Sequence, residues 1–232
     1  MNQIPSIAPT LQEQRQLSAE FSAGISNAII YNCFEAEIKR HSVTGAVLDW
    51  GAGKGLLVNR LLDLNVFDSI TAVDIQAQPN IASSAVTWMQ ADLNDCVDIG
   101  NEIFDCILSA EVIEHLENPR ATVREWFRLL KPGGLLIFST PNSESWRSIL
   151  ALIARGHFVD FGDSSYPAHI TALLRKDISR ILTEAGFPKP QFSFTNSGKI
   201  PKFPHHRWQS IPLIPFRGLR FSDNVLSIVR KP

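Results

Sequence analysis

The segment AEVIEHLENP (110–119) sets Glu111, Glu114 and His115 at i, i+3 and i+4, so one helical turn would gather two carboxylates and an imidazole on one side. Such oxygen and nitrogen donors suit a hard or borderline divalent ion, and His169 in YPAHIT is a fourth candidate for the group. A second chemistry needs less: His115 alone, titrating near neutrality, could take a proton from a reacting hydroxyl. The plainest alternative has the histidine only packing or hydrogen-bonding. Upstream, VLDWGAGKG (47–55) places Gly51, Gly53 and Gly55 at alternate positions after an apolar run that ends in Asp49. Missing Cβ atoms allow close approach or positive φ. Backbone N–H groups at a strand-to-helix junction can hold a polar group of a nucleotide-like ligand. Leu56 stands where a GxGxxG turn begun at Gly51 would need its third glycine, which weighs against a nicotinamide dinucleotide.

Positioning these groups takes strand ends. AVLDW (46–50), SITAVDI (69–75), VTWMQADL (86–93), IFDCILSA (103–110) and GGLLIFST (133–140) are apolar runs, with helical candidates between most of them, notably 54–64 and 121–130. Strands buried on both faces and separated by crossover helices give a mainly parallel, doubly wound α/β sheet. Asp74 ends the second strand, 19 residues after Gly55, where it could accept both hydroxyls of a ribose. Asp92 ends the third and could accept from an adenine amino group while Leu93 or Met89 packs on the ring. Each acid alone could be a loop cap. Together they fall on the carboxyl side of one sheet, where open α/β folds bind ligands.

Outside that frame, residues 1–44 read as helical pieces near 15–23 and 25–40 that cover the sheet. Lys131 to Gly134 should end a helix and turn directly into the fifth strand. Ile170, Leu173, Leu174, Ile178, Ile181 and Leu182 share one face of a late helix that stops at Gly186. QFSF (191–194) and NVLSIV (224–229) could add two strands, and the proline-rich stretch 199–220 between them is too irregular for a regular element. With 232 residues, 44% of them hydrophobic, a single domain spanning 1–232 is expected. A net charge of −1 marks no global preference for nucleic acid. Three scattered cysteines suggest neither disulfides nor zinc, and no apolar run reaches membrane-spanning length, so a cytoplasmic protein without membrane insertion is expected.

The succession VLDWGAGKG, AVDI, QADL, FDCILSAEVIEHLENP and LLKPGGLLIFSTPN resembles the class I S-adenosylmethionine (SAM)-dependent methyltransferases over about residues 45–142. The resemblance implies a Rossmann-like α/β fold whose seven-stranded, mainly parallel sheet has an antiparallel last strand. It also implies SAM on Gly51, Gly53 and Gly55, with Asp49 orienting its amine, Asp74 on the ribose and Asp92 near the adenine. Ile75, Leu93 and Ala110 complete the cofactor set. Trp50 departs from the smaller aliphatic residue common in the family. The ExxEH spacing is similar to metal-dependent members, notably ubiquinone-biosynthesis O-methyltransferases and small-RNA 3′-end methyltransferases, where the residues matching Glu111, Glu114 and His115 join a distant histidine around magnesium or a similar ion. Catalytic candidates are therefore His115, Glu111 and His169. Methyl transfer to a small-molecule hydroxyl is the expected reaction, with or without a divalent metal such as magnesium; the alternatives are a noncatalytic SAM-binding or partner-binding protein and a methyltransferase acting on RNA or on a nitrogen or carbon acceptor.

The acceptor is left to the N-terminal helices, the link 156–171 and the stretch before the last strand. Phe158, Phe161 and Tyr166 could wall a pocket or form a small core. Lys199, Lys202, Arg207, Arg217 and Arg220 accumulate without an acid, with His205, His206 and Trp208 among them, so a negatively charged small molecule is possible. Five charges in a short loop are not an extended track for RNA.

Overall fold

The computed structural model of the protein describes residues 9–22, 24–81, 83–212 and 214–232. Two helices, α1 (Leu11–Phe21) and α2 (Ala28–Arg40), precede β1 (Gly45–Trp50), α3 (Leu56–Leu64), β2 (Phe67–Asp74), β3 (Val86–Gln90) and β4 (Phe104–Ala110). Then follow α4 (Pro119–Leu129), β5 (Leu130–Pro141), α5 (Trp146–Arg155), α6 (Arg175–Ala185) and β6 (Gln191–Phe194). A short hairpin of β7 (Lys199–Ile200) and β8 (Phe203–Arg207) leads to β9 (Asn224–Arg230). The main sheet runs β3-β2-β1-β4-β5-β9-β6. β1 to β5 pair in parallel, and β9 runs antiparallel to both β5 and β6. Because strand order reverses between β1 and β4, a crevice opens at their carboxyl ends.

Alternation along the central strands sorts side chains onto two cores. Val47, Cys106, Leu108, Leu135 and Ile137 pack with Phe34 of α2 and Leu61 of α3. Leu48, Ile107, Leu136 and Phe138 pack on the other face with Trp126 of α4 and Leu182 of α6. The bulky Trp50 belongs to this second core: it is fully buried, edge-on to Trp126 at 6.5 Å between ring centroids. A smaller residue would leave Trp126 facing a void, so Trp50 follows from packing and has no part in the cavity lining.

Several boundaries differ from the sequence reading. β5 begins at Leu130, so the KPGG turn is absorbed into the strand. α6 starts only at Arg175, which leaves Ile170 and Leu173 in the link before it. α5 was not expected, although Ser145 caps it by accepting from the Ser148 N–H at 3.2 Å. The stretch 199–220 does contain regular structure, the β7–β8 hairpin, because Pro201 falls in its turn. Residues 1–8 of the expected cover and Leu213 of that stretch lie outside the described residues.

Trp50→Ala should destabilise the protein by about 3–5 kcal/mol, the usual cost of a large-to-small change in a close-packed core. The urea midpoint should fall while the slope of the transition is unchanged.

Candidate active site

β1 delivers the chain to the glycine turn at the carboxyl edge of the sheet. Gly51, Gly53 and Gly55 all have positive φ, at 82°, 52° and 72°. A Cβ on Gly53 would stand 2.4 Å from the Gly24 carbonyl oxygen, and one on Gly51 would stand 2.4 Å from Val112 Cγ2. Close approach at this turn is thus made first by the chain itself: the α1–α2 connection lies on it, with the Lys54 N–H donating to Gly24 O at 3.0 Å.

Two acids shape the turn from beneath. Asp74 accepts from the N–H groups of Gly53 (2.7 Å) and Gln76 (2.8 Å), one on each oxygen, which closes the loop and still leaves lone pairs for further donors. Asp49 is 1% exposed, and its Oδ2 has no hydrogen-bond partner. Burial, reinforced by the charge of Asp74, pushes its pKa up to about 8. A cation arriving beside it would convert this acid into a favourable carboxylate.

Asp92 lies two residues beyond β3 and is already engaged. Arg15 of α1 reaches Asp92 at 3.0 Å, Asp95 at 3.3 Å and Glu117 at 2.7 Å, and the other Asp92 oxygen accepts from the N–H and side chain of Asn94. No residue of α1 is buried. The helix is held over the cavity by polar contacts, which also include Ser18 Oγ donating to Pro167 O and Gln76 Nε2 donating to Ala19 O. Ile75, Leu93 and Ala110 line the same cavity of about 770 Å³ as the glycine turn.

At the end of β4 the expected helical turn is only a single 3₁₀ turn, Ile113–His115. Glu111 precedes it with φ 57° and lies outside the group that the other two help to form. It accepts instead from Ser139 Oγ (2.7 Å) and Asn224 Nδ2 (2.6 Å). The group that does assemble is Glu114, His115 and His169, whose ligand-type atoms all lie within 4.8 Å of one another. The link is fastened here because the Glu114 carbonyl accepts from the N–H groups of Ile170 and Thr171, both at 3.0 Å. The two imidazoles meet edge-on at 4.7 Å. His115 Nδ1 contacts Ala168 O at 2.8 Å, and His169 Nδ1 contacts Asp160 O at 2.7 Å. Carbonyls only accept, so each Nδ1 that meets one carries a proton, the arrangement that outer carbonyls impose on metal-ligating histidines.

Charge in this cluster is strongly disfavoured by burial. Glu114 is 0% exposed with neither carboxyl oxygen partnered, and burial followed by the neighbouring Glu111 raises its pKa well above the usual range. Burial pushes Glu111 up to about 8 against the hydrogen bond from Ser139. The same effect, aided by His169, lowers His115 to about 4, so its imidazole is neutral at pH 7. An orphaned carboxyl beside two imidazoles is a donor set that fits a divalent cation.

Of the basic residues expected near the acceptor, Lys199 and Arg207 line the cavity, while Lys202, His205, His206 and Arg217 are not among its lining residues. Arg220 donates to Glu144 O and lies 5.2 Å over the Trp146 ring, and Trp208 packs against Phe216 and Phe221. Tyr166 lines the cavity, and Phe161 packs on His169 at 5.5 Å. Arg15, Ser139, Arg147 and Asn224 were not singled out from sequence. Their partners come from distant segments, and only the helix-capping Ser145 ahead of Arg147 offered a local signal.

A family profile describing a methyltransferase domain matches residues 20–189. The chain belongs to the methyltransferase domain family. This methyltransferase is 32% identical over 171 residues to the ubiquinone biosynthesis O-methyltransferase of Xanthomonas oryzae pv. oryzae, covering 62% of this chain and 70% of that relative. Its fold is similar to the Burkholderia thailandensis 1,6-didemethyltoxoflavin-N1-methyltransferase solved with S-adenosylhomocysteine, with a TM-score of 0.63, 17% identity and coverage of 99% and 93% of the two chains. The [4+2]-cyclase SpnF is equally similar in fold, with a TM-score of 0.63, 16% identity and coverage of 100% and 99%, so the fold alone does not choose a reaction. The methyltransferase is a SAM-dependent enzyme, and no helix among the described residues is long and apolar enough to cross a membrane.

Because the folded pKa of Asp49 lies above its unfolded value, the folded state binds the extra proton between those two values. Its contribution to stability therefore declines as pH rises from about 4 to about 8. Asp49→Asn should raise the melting temperature of the ligand-free methyltransferase, with the largest gain above pH 8 and almost none near pH 4.

Proposed function

We propose that the methyltransferase transfers the methyl group of SAM to a hydroxyl oxygen of a small molecule. The observation that carries this reading is the placement of His115, with its neutral imidazole, in the same cavity as the glycine turn and on the neighbouring strand end. The O-methyltransferase named among the relatives adds support for oxygen. SAM supplies an electrophilic methyl on a sulfonium, and the residues have the remaining tasks. Asp49 receives the amine, Asp74 the ribose hydroxyls, and Ile75, Leu93 and the Asp92 loop border the adenine. Gly51, Gly53 and Ala110 line the cavity where the cofactor backbone would lie, while Gly55 is not among the lining residues: it faces Ile81 and shapes the turn that carries the other two glycines.

Transfer from a sulfonium demands in-line placement of the oxygen more than a strong base. A histidine held near pKa 4 accepts a proton only as the new bond forms, which favours acidic hydroxyls such as phenols over alkyl alcohols. Glu114, His115 and His169 are also the residues that would hold a divalent metal such as magnesium, which when bound would acidify the acceptor hydroxyl. Glu111, tied to Ser139 and Asn224, borders the acceptor and is not part of that donor set.

Transfer of a ¹³C-labelled methyl from SAM should give an O-methyl resonance in the product, and an N-methyl or C-methyl product would overturn the oxygen assignment. His115→Ala should lower kcat by about 10²–10⁴ with SAM affinity retained, and Asp49→Asn should weaken SAM binding with kcat less affected. Exhaustive chelation separates the two roles of the cluster: activity lost and restored by magnesium or manganese identifies a metal site, whereas unchanged turnover leaves His115 as the base.

A further inference from the structure

We infer that the acceptor end of the cavity contains a carboxylate-binding subsite centred on Arg147, making the acceptor a monoanion; this rests on the hydroxyl-transfer reading above. Arg147 sits in the first turn of α5, and its side chain is 20% exposed and lines the cavity. Asp160 of the link and Asp223 ahead of β9 flank it, each at 3.7 Å from the guanidinium. Both contacts fall on Nη1 at a separation where the charges attract without a hydrogen bond, and no side-chain hydrogen bond of Arg147 is formed among the described residues. The two acids orient the fork and leave its donors free.

Other groups at this end fit the same ligand. The Lys199 backbone N–H donates to the Asp223 carboxylate at 3.1 Å, which pins the residue at the cavity wall while its ammonium is left without a partner among the described residues. Arg207 lines the wall nearby and donates to Ser197 Oγ. Three cations against the carboxylates of Asp160 and Asp223 leave one positive charge. That balance suits a planar monoanion, which a guanidinium grips with two parallel hydrogen bonds. A dianionic phosphate would bring a second negative charge against the same two aspartates. The subsite is also correctly placed, since Asn224, next to Asp223 in the chain, donates to Glu111 at the end of β4. An acceptor held at Arg147 would therefore extend toward His115 and the cofactor side of the crevice.

Catechol, 3,4-dihydroxybenzoate and 3,4-dihydroxybenzylamine share a hydroxylated ring and differ in charge. Calorimetric titration of each into the full chain saturated with S-adenosylhomocysteine, with radiolabelled SAM transfer measured in parallel, tests the assignment. The benzoate should bind at least about tenfold more tightly than catechol, and the benzylamine most weakly. Arg147→Gln should erase that preference while retaining affinity for S-adenosylhomocysteine, and Arg147→Lys should keep part of it. If Arg147→Gln does not fold, Lys199→Gln is read in the same way. The subsite is overturned if the benzoate fails to bind, binds no better than catechol, or keeps its preference in the variants. Methylation of all three without a charge preference would remove the subsite and leave hydroxyl transfer standing. Benzoate binding that depends on Arg147, with no methylation of any of the three, would do the reverse.

Discussion

Removal of carboxyl groups from water at the carboxyl ends of β1 and β4 is the constraint around which the rest of the structure is arranged. Asp49, Glu111 and Glu114 each lose solvent there, and only Glu111 has side-chain donors to compensate. Such acids are tolerated when the surrounding core is strong enough to hold them and when a ligand or ion completes their environment. Two close-packed faces supply that strength, and Trp50 against Trp126 lies directly behind the strand end that carries Asp49.

The sheet divides the labour of the crevice. Ends of β1, β2 and β3 carry the glycine turn, Asp74 and the Asp92 loop, while the ends of β4 and β5 and the start of β9 carry Glu111, the histidine pair and the Arg147 group. The cover over the first half is polar and shallow, because α1 buries none of its residues and is tied down chiefly through Arg15. Electrostatic attachment of this kind weakens with salt and with loss of any one partner, and neither core includes a residue of α1.

Much of the cofactor half was legible in the sequence. Continuous apolar runs, the glycine turn and acids at strand ends are local signals, and β1, β2, β4, β6 and β9 fall within two residues of their expected bounds. Less legible was what depends on long-range closure. The ExxEH spacing suggested one shared helical face, but the left-handed backbone at Glu111 splits it and pairs that acid with Asn224, far along the chain. His169 does reach the cluster, through backbone bonds to Glu114 that spacing cannot reveal. Arg15 was hidden in a polar N-terminal stretch, and Arg147 in a helix whose exposed apolar residues obscured its pattern. The basic stretch 199–220 marked the right region, yet only Lys199 and Arg207 of its cations line the cavity, since folding of the β7–β8 hairpin and stacking on Trp146 direct the others elsewhere.

The claim that a buried, protonated Asp49 is the receptor for the cofactor amine is tested most directly by proton release on binding. S-adenosylhomocysteine titrated at pH 7 into the wild-type protein, in buffers of different ionisation enthalpy, should release close to one proton, and the Asp49→Asn protein should release none. Equal proton release from both proteins, or none from either, would contradict it.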